Sequence, residues 1–182
     1  MALSLRKAGK FLYGGWSHVA LTHYTFEMTD TLLTFQRERR ILTCKETDGK
    51  TLWAKKLGEI VNILEVLEDE DRYYVSCEID DLTGQLLSLH RHTGSTAWFI
   101  PGRPYLQQLY DNYLYAIFMD PSESFYFLKV DLEDGSPVWH HPVTEDLCHY
   151  TFRRGEILLT YGSGREEVLL PSSGKVVQVT GE

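Results

Sequence analysis

A glycine turn followed by a tryptophan recurs along this sequence at nearly constant spacing. Successive turn glycines lie 45, 41 and 39 residues apart, and in three of the four copies a tryptophan follows four residues after the glycine. The copies are Gly49 with Trp53, Gly94 with Trp98, Gly135 with Trp139, and Gly174 with Gln178 in place of a tryptophan. A fixed period of about 40 to 45 residues is typical of propellers and other repeat arrays. The spacing therefore predicts a repeat protein.

The turn itself predicts a β-hairpin in each repeat. A polar residue before glycine, between two alternating apolar runs, is a strong hairpin signal because glycine accepts the positive φ of a tight turn. Side chains alternate between the two faces of the following strand, so Trp53 and Leu57 share a face that Leu52 does not. A ring as large as tryptophan needs an extensive apolar contact. We therefore expect the three tryptophans to lie between neighbouring repeats.

The predicted fold class is all-β, with about four four-stranded antiparallel repeats in one domain that spans residues 1–182. The repeats cover about residues 16–58, 59–102, 103–143 and 144–182, and each offers about four short strands, the number in a propeller blade. Leu12–Gly15 reads as a further edge strand. The sequence leaves two arrangements open, a closed four-bladed propeller or a half-ring that pairs with another copy.

The Asp/Thr-Gly-x-x-x-Trp turn resembles the quinoprotein-type β-propeller repeat, in three repeats closely and in the fourth weakly. The resemblance implies a propeller fold. It does not imply a quinone cofactor, because quinoprotein dehydrogenases carry a pair of adjacent cysteines, whereas Cys44, Cys77 and Cys148 stand far apart here. The outer-membrane assembly lipoprotein propeller is a second relative, but its signal peptide and lipid-attachment cysteine have no counterpart, so we expect a cytoplasmic protein without a cofactor.

Charge and composition restrict the classes of partner. The formal net charge is -8 and the isoelectric point is about 5.4, which argues against binding nucleic acid through a broad basic face. No stretch approaches the roughly 18 apolar residues of a membrane span. The three cysteines stand in apolar, strand-like segments with no C-x-x-C pair, which predicts buried, reduced thiols and no metal site. The acidic balance fits a basic partner.

Candidate binding residues fall in an acidic turn and an aromatic repeat. Glu68, Asp69, Glu70 and Asp71 form the turn, which is either a solvated charge run or a patch that attracts a basic partner. Tyr110 and Tyr113 belong to the third repeat, the most aromatic, and tyrosine is favoured at binding hot spots. We predict a non-enzymatic protein–protein interaction module, similar to the immunity proteins that inhibit basic toxins.

Two alternatives remain open at this stage. His90 and His92 lie two residues apart, a spacing that suits chelation of a metal, so a small-molecule or metal-binding propeller is the first alternative. A hydrolytic enzyme is the second and is disfavoured, because the sequence has no G-x-S-x-G turn and no nucleophile with a base placed by a motif.

Overall fold

The computed structural model describes residues 23–181, which form sixteen β-strands and no helix. The chain divides into two compact units, Met1–Pro104 and Tyr105–Glu182. The strands form four separate antiparallel sheets of four strands each, which confirms the predicted fold class. In every sheet the strands neighbour one another in chain order, so each sheet is a meander made of three hairpins. The predicted edge strand Leu12–Gly15 lies outside the described residues.

The first unit contains the first two sheets, each within one predicted repeat. The first sheet consists of β1 (His23–Glu27), β2 (Thr31–Gln36), β3 (Ile41–Glu46) and β4 (Thr51–Lys56). The second sheet consists of β5 (Asn62–Glu68), β6 (Arg72–Glu78), β7 (Gly84–His90) and β8 (Thr96–Pro101).

The second unit contains the other two sheets, again one to each predicted repeat. The third sheet consists of β9 (Arg103–Tyr110), whose first residues precede the boundary between the units, β10 (Tyr113–Met119), β11 (Phe125–Asp131) and β12 (Pro137–Pro142). The fourth sheet consists of β13 (Leu147–Arg153), β14 (Glu156–Tyr161), β15 (Glu166–Leu169) and β16 (Val176–Thr180).

The turn before the last strand is closed by backbone hydrogen bonds around the repeated glycine. In the second sheet His90 N–H donates to the Ser95 carbonyl, and Gly94 N–H donates to the His90 carbonyl. The third and fourth sheets repeat this pattern. In the first sheet the turn is one residue shorter, because Glu46 N–H bonds the Lys50 carbonyl. All four glycines have positive φ, which a residue with a side chain adopts only with strain.

In the first unit, Trp53 of β4 packs against the turn of the second sheet. Its indole N–H donates to the Arg91 carbonyl oxygen at 2.7 Å. Its ring covers Gly94 so closely that a Cβ added there would lie 2.5 Å from the ring. The side chain is buried. The predicted position of this tryptophan between two neighbouring repeats is therefore confirmed.

In the second unit, Trp139 of β12 makes the same contact with the turn of the fourth sheet. Its indole N–H donates to the Pro171 carbonyl at 2.9 Å, and a Cβ on Gly174 would meet the ring at 2.7 Å. Trp98 is also buried and packs its ring on Tyr74, with the ring centroids 5.8 Å apart.

The two ends of the repeat series lack this contact. Gln178, which replaces the fourth tryptophan, is exposed on β16. Gly49 in the shortened first turn is exposed as well, and a Cβ added to it would meet nothing within 4 Å. Among the described residues, no tryptophan ring therefore covers the turn of the first sheet, and the last strand of the fourth sheet has no tryptophan.

Each unit has its own apolar core between its two sheets. In the first unit the core includes the fully buried Leu33, Leu42, Tyr73 and Val75. In the second unit the core is mainly aromatic. It includes Tyr115, Phe127, Tyr150 and Tyr161, with Trp139 packed against them.

The prediction of three buried cysteines is correct for two of them. Cys44 on β3 and Cys77 on β6 are buried free thiols, and burial raises the pKa of each. Cys148 is exposed. Cys148 follows the buried Leu147 and so points to the opposite face of β13. The pairing of β13 with β14 also shifts register between Leu147 and His149, which leaves Cys148 without a partner residue on β14.

Candidate functional site

The acidic turn between β5 and β6 contains two carboxylates that the protein uses internally. The Glu68 side chain is only 5% exposed and lies 3.4 Å from the guanidinium of Arg91. Its other oxygen accepts hydrogen bonds from the backbone N–H and the hydroxyl of Thr29. Asp69 accepts from the N–H groups of Asp71 and Arg72, which closes the turn.

Glu70 and Asp71 are the exposed carboxylates of this turn. Their predicted role in attracting a basic partner stays a prediction. Glu68 and Asp69 have internal partners, so of the four acidic residues Glu70 and Asp71 are the ones whose side chains lie on the surface.

Arg91 is the centre of the polar contacts beneath the acidic turn. Its guanidinium pairs with Asp30, and it donates to the Asp69 carbonyl at 3.0 Å. It also lies 5.6 Å from the centre of the Tyr73 ring. Burial disfavours its charge, but the hydrogen bond with Tyr73 and the nearby carboxylates leave the pKa of Arg91 above its usual value. The residue therefore joins both sheets of the first unit.

The two tyrosines proposed for partner binding have different surroundings. Tyr110, at the end of β9, is 38% exposed and stacks on Phe152 with ring centroids 3.9 Å apart. Tyr113, at the start of β10, is half-buried, and the Lys129 ammonium lies 3.7 Å from its ring centre. Tyr110 thus offers a fixed, partly exposed ring, whereas Tyr113 mainly covers a lysine.

Lys129 is a buried cation inside the second unit. Its ammonium donates to the Pro171 carbonyl at 3.1 Å, the same oxygen that accepts the Trp139 N–H. Burial lowers the pKa of Lys129. The rings of Tyr113 and Tyr115 replace part of the lost hydration by cation–π attraction. This cation contributes to the packing of the third sheet on the fourth.

An open acidic cleft in the second unit was not predicted from the sequence. Its volume is about 640 Å³, and it lies between the start of β11 and the segment that joins β12 to β13. The lining includes three carboxylates, two aromatic rings, and no lysine, arginine or histidine from the described chain. The charged and aromatic lining residues are Glu123, Glu145, Asp146, Phe125 and Tyr126.

The loop before β11 holds Glu123 at the rim of this acidic cleft. The Asp120 carboxylate accepts hydrogen bonds from the N–H groups of Ser122 and Ser124, and Glu123 N–H donates to the Asp120 carbonyl. Glu123 has φ of 63°, which is uncommon for a residue with a long side chain. Asp146 on the opposite side accepts from Thr144, and this hydrogen bond is the main cause of its lowered pKa.

A second cleft, in the first unit, brings together the two histidines of the metal-binding alternative. It has a volume of about 430 Å³ and is lined by His90 and His92 together with Asp71, Arg72 and Arg91. Thr93 and Ser95 add two hydroxyl groups. Across residues 23–181 no three His, Cys, Asp or Glu side chains are placed to hold a metal ion.

His141 belongs to a polar cluster in the second unit that sequence reasoning missed. Its Nε2 lies 3.0 Å from Glu167 Oε2, and the Tyr161 hydroxyl donates to the same oxygen at 2.8 Å. The Arg165 guanidinium stacks over the Tyr161 ring at 4.0 Å. Burial and the neighbouring Glu167 raise the pKa of Tyr161. Adjacent His140 instead meets the Tyr126 ring edge-on, as strand alternation requires.

Comparisons with known proteins give no match by sequence and several matches by structure. No protein-family model matches the sequence, and no curated protein matches it. In the part of the chain that the structure describes, no helix is long and apolar enough to cross a membrane.

Several solved structures are similar to the chain. BamB from Moraxella catarrhalis superposes with a TM-score of 0.60 and 15% identity, over 100% of this chain and 52% of that one. Quinohemoprotein alcohol dehydrogenase from Comamonas testosteroni superposes with a TM-score of 0.61 and 11% identity, over 87% of this chain and 35% of the dehydrogenase. The computationally designed Ika4 protein superposes with a TM-score of 0.58 and 9% identity, over 79% of this chain and 87% of the designed protein.

The chain spans about half the length of BamB and about a third of the dehydrogenase. The four four-stranded antiparallel sheets and these similarities agree with the turn motif in the sequence. The chain thus has the fold of β-propeller repeats, with four four-stranded antiparallel sheets similar to those of these structures.

Proposed function

We propose that this chain is a protein-interaction module without catalytic activity of its own, and that it binds a basic protein. The observation that carries the proposal is the acidic cleft of the second unit, where carboxylates and aromatic rings line one open space. The net charge of -8 supports it, because a negative protein attracts a basic partner over a longer range than the cleft alone.

The lining suits a lysine or arginine side chain of the partner. Glu123 and Glu145 are exposed, and the lowered pKa of Asp146, which follows chiefly from its hydrogen bond with Thr144, keeps that carboxylate charged at neutral pH. The faces of Phe125 and Tyr126 add cation–π attraction to the Coulomb attraction of the carboxylates. A guanidinium would gain most, since it is planar and can both stack and form two hydrogen bonds.

A compact, acidic binder of a basic protein would act as an inhibitor or immunity protein, with the cytoplasm as its expected compartment. Such a binder occupies the basic surface that its target uses for its own acidic substrate. The proposal therefore depends on a partner with cationic side chains, and the first test asks whether the acidic cleft binds such side chains.

The test measures binding of a fluorescent nona-arginine peptide by anisotropy in about 50 mM salt. We expect the variant Glu123→Gln/Glu145→Gln to bind at least tenfold more weakly than the wild type, because it removes two charges from the cleft. The matched control is Glu38→Gln/Glu59→Gln, which removes two exposed carboxylates far along the chain in the first unit. The control should change affinity less than threefold.

A third variant separates the cleft from the acidic turn. Glu70→Gln/Asp71→Asn neutralises the two exposed residues of the turn and leaves the buried Glu68 in place. A tenfold loss confined to this variant would move the binding site to the turn. An equal, small loss for all three variants would mean that net charge alone attracts the peptide, and the proposal of a basic partner at the cleft would be rejected.

A second candidate function follows from the cleft around His90 and His92. Two imidazoles, the Arg72 guanidinium and two hydroxyls form a lining rich in hydrogen-bond donors, which suits a small anionic molecule. Calorimetric titration with inorganic phosphate tests it. Saturable binding that His90→Ala/His92→Ala abolishes would support this candidate, and heats no larger than those of dilution would reject it.

A further inference from the structure

One wall of the acidic cleft rests on the β14–β15 turn of the fourth sheet. The wall is the segment of residues 143–146, which joins β12 to β13. Gly162 N–H donates to the Asp146 carbonyl oxygen at 2.7 Å, and Ser163 N–H donates to the Asp146 carboxylate at 3.2 Å. Residues of this turn therefore help to place the Asp146 carboxylate in the cleft.

Arg165 follows this turn, immediately before β15, and contacts the same wall. Its Nη2 donates to the Thr144 hydroxyl oxygen at 3.2 Å, and the Thr144 hydroxyl donates to Asp146 Oδ1. A hydroxyl group has one proton and two lone pairs, whereas a guanidinium has only donors. The hydrogen bond from Arg165 therefore occupies a lone pair of Thr144 and leaves the Thr144 proton for Asp146.

The Tyr161 ring holds the Arg165 guanidinium in this orientation. The guanidinium carbon lies 4.0 Å from the centre of the ring, and Tyr161 is only 2% exposed. A planar guanidinium stacks on an aromatic face, and this contact restricts its rotation. The Tyr161 hydroxyl is itself fixed, since it donates to Glu167 Oε2 at 2.8 Å. Arg165 is thus oriented before any partner enters the cleft.

The ion pair of Arg165 with Glu167 explains this arrangement less well. The Arg165 Nε atom lies 3.7 Å from Glu167 Oε1, beyond the usual length of a hydrogen bond. The other Glu167 oxygen already accepts from Tyr161, and His141 Nε2 lies 3.0 Å from it. Of these two side-chain oxygens, the Thr144 hydroxyl is therefore the closer partner of Arg165.

We propose that Arg165 is a positioning residue of the acidic cleft and that it fixes Asp146 through the Thr144 hydroxyl. This inference rests on the proposed function, because the cleft is where a cationic side chain of the partner would bind. The charge of Arg165 by itself would repel such a side chain. The positioning role and the charge of Arg165 thus have opposite effects on binding.

Binding of the fluorescent nona-arginine peptide separates the two effects. We measure it by anisotropy in about 50 mM salt, where charges are weakly screened. We expect Arg165→Met to bind the peptide at least threefold more weakly than the wild type, although this variant loses a positive charge. The matched control is Arg153→Met, because Arg153 is exposed at the end of β13 in the same sheet. The control should bind as tightly as the wild type or more tightly, since it removes a repulsive charge.

Two substitutions of Thr144 test whether Arg165 acts through the hydroxyl. Thr144→Val removes the hydroxyl and should weaken binding by a similar factor, whereas Thr144→Ser keeps it and should bind like the wild type. In the Thr144→Val background, Arg165→Met should cause no further loss. Thr144 is exposed, so neither substitution should lower the melting temperature by more than about 2 °C.

The pKa of Asp146 gives a second readout that needs no peptide. The hydrogen bond from Thr144 is the main cause of the lowered pKa of Asp146. Titration by carboxyl carbon NMR should therefore give a higher pKa of Asp146 in Thr144→Val and in Arg165→Met than in the wild type. A lost positive charge alone would raise this pKa further when Arg165→Met is added to Thr144→Val. The proposed chain of hydrogen bonds predicts no further rise.

Different results reject this inference and the proposed function. The role of Arg165 is overturned if Arg165→Met binds the peptide as tightly as the wild type, or if the pKa of Asp146 is unchanged in that variant. A further loss in the double variant would overturn the route through Thr144. Unchanged binding in Glu123→Gln/Glu145→Gln would instead reject the cleft as the site of the cation, and the titration would still decide whether Arg165 fixes Asp146.

Discussion

The indole N–H of Trp53 donates to the carbonyl oxygen of Arg91 at 2.7 Å, and the same Arg91 pairs its guanidinium with Asp30 and Glu68. Trp53 and Asp30 belong to the first repeat, whereas Glu68 and Arg91 belong to the second. Arg91 of the second repeat therefore makes two contacts with the first repeat. Its carbonyl oxygen accepts the hydrogen bond from Trp53, and its guanidinium forms the ion pair with Asp30. Packing and polar contacts act together where the two sheets of the first unit meet.

Removal of the Trp53 ring should destabilise the first unit strongly. Trp53→Ala deletes a buried ring and its hydrogen bond, and we expect a loss of about 3–5 kcal/mol in the free energy of unfolding. Trp53→Phe keeps most of the apolar surface and loses the N–H, so its cost should be smaller. Urea unfolding gives both values. Phe99→Ala is the control, because Phe99 is 59% exposed and its loss should change stability by less than about 0.5 kcal/mol.

A smaller loss for Trp53→Ala than for Phe99→Ala would contradict the placement of the ring between the sheets. Trp139 is half-buried, so Trp139→Ala should cost less than Trp53→Ala.

Glycine at the repeated turn is required for two separate reasons that one pair of variants can distinguish. Gly49→Ala and Gly94→Ala both place a side chain at positive φ, which costs about 1–2 kcal/mol. Gly94→Ala also drives a methyl group into the Trp53 ring, since the added Cβ would lie 2.5 Å from it. We expect Gly94→Ala to be more destabilising by at least 1 kcal/mol in thermal or urea unfolding. Equal losses would show that the ring moves away freely.

The repeat architecture could be predicted from the sequence because its signals are local. A glycine at a fixed spacing marks the last hairpin of each sheet, and the Asp111-Asn112 pair marks the first hairpin of the third sheet, where both residues have positive φ as a two-residue turn requires. Trp53 and Trp139 were placed correctly between neighbouring repeats because strand alternation assigns each ring a face.

The clefts and ion pairs could not be predicted because they depend on register between strands. Glu68 and Arg91 approach only when β5 and β7 both pair with β6. The acidic cleft forms because the register of β11 with β12 places Tyr126 opposite Pro142, which brings the loop that contains Glu123 close to Glu145. Composition showed that the chain is acidic, but it did not show where the exposed carboxylates converge.

Arg91 should be far more sensitive to substitution than its exposed partner. Arg91→Met leaves Glu68 as a buried carboxylate without its cation, and removing one member of a buried ion pair costs about 3–5 kcal/mol. Asp30 is 67% exposed, so Asp30→Asn should cost no more than about 1 kcal/mol. Unfolding in urea at neutral pH compares them. Restored stability in Arg91→Met/Glu68→Gln would show that the uncompensated Glu68 charge causes the loss, and no restoration would indicate lost packing.

Stability should fall at alkaline pH because buried tyrosines resist ionisation. Burial raises the pKa of Tyr73 to about 12, and its hydroxyl lies 2.6 Å from the Thr31 hydroxyl in the core. The unfolded chain ionises tyrosine near pH 10, so the folded state binds more protons above that pH. The contribution of Tyr73 is complete below about pH 10 and is lost as the pH rises towards 12.

Urea unfolding at pH 8 and pH 11 checks this prediction. The drop in unfolding free energy between the two pH values should be smaller in Tyr73→Phe, which cannot ionise, than in the wild type. Tyr105→Phe is the control, because it removes the same hydroxyl group from a side chain that is 46% exposed. Identical drops in Tyr73→Phe and the wild type would show that other ionisations cause the alkaline unfolding, since Tyr73→Phe removes only the Tyr73 proton.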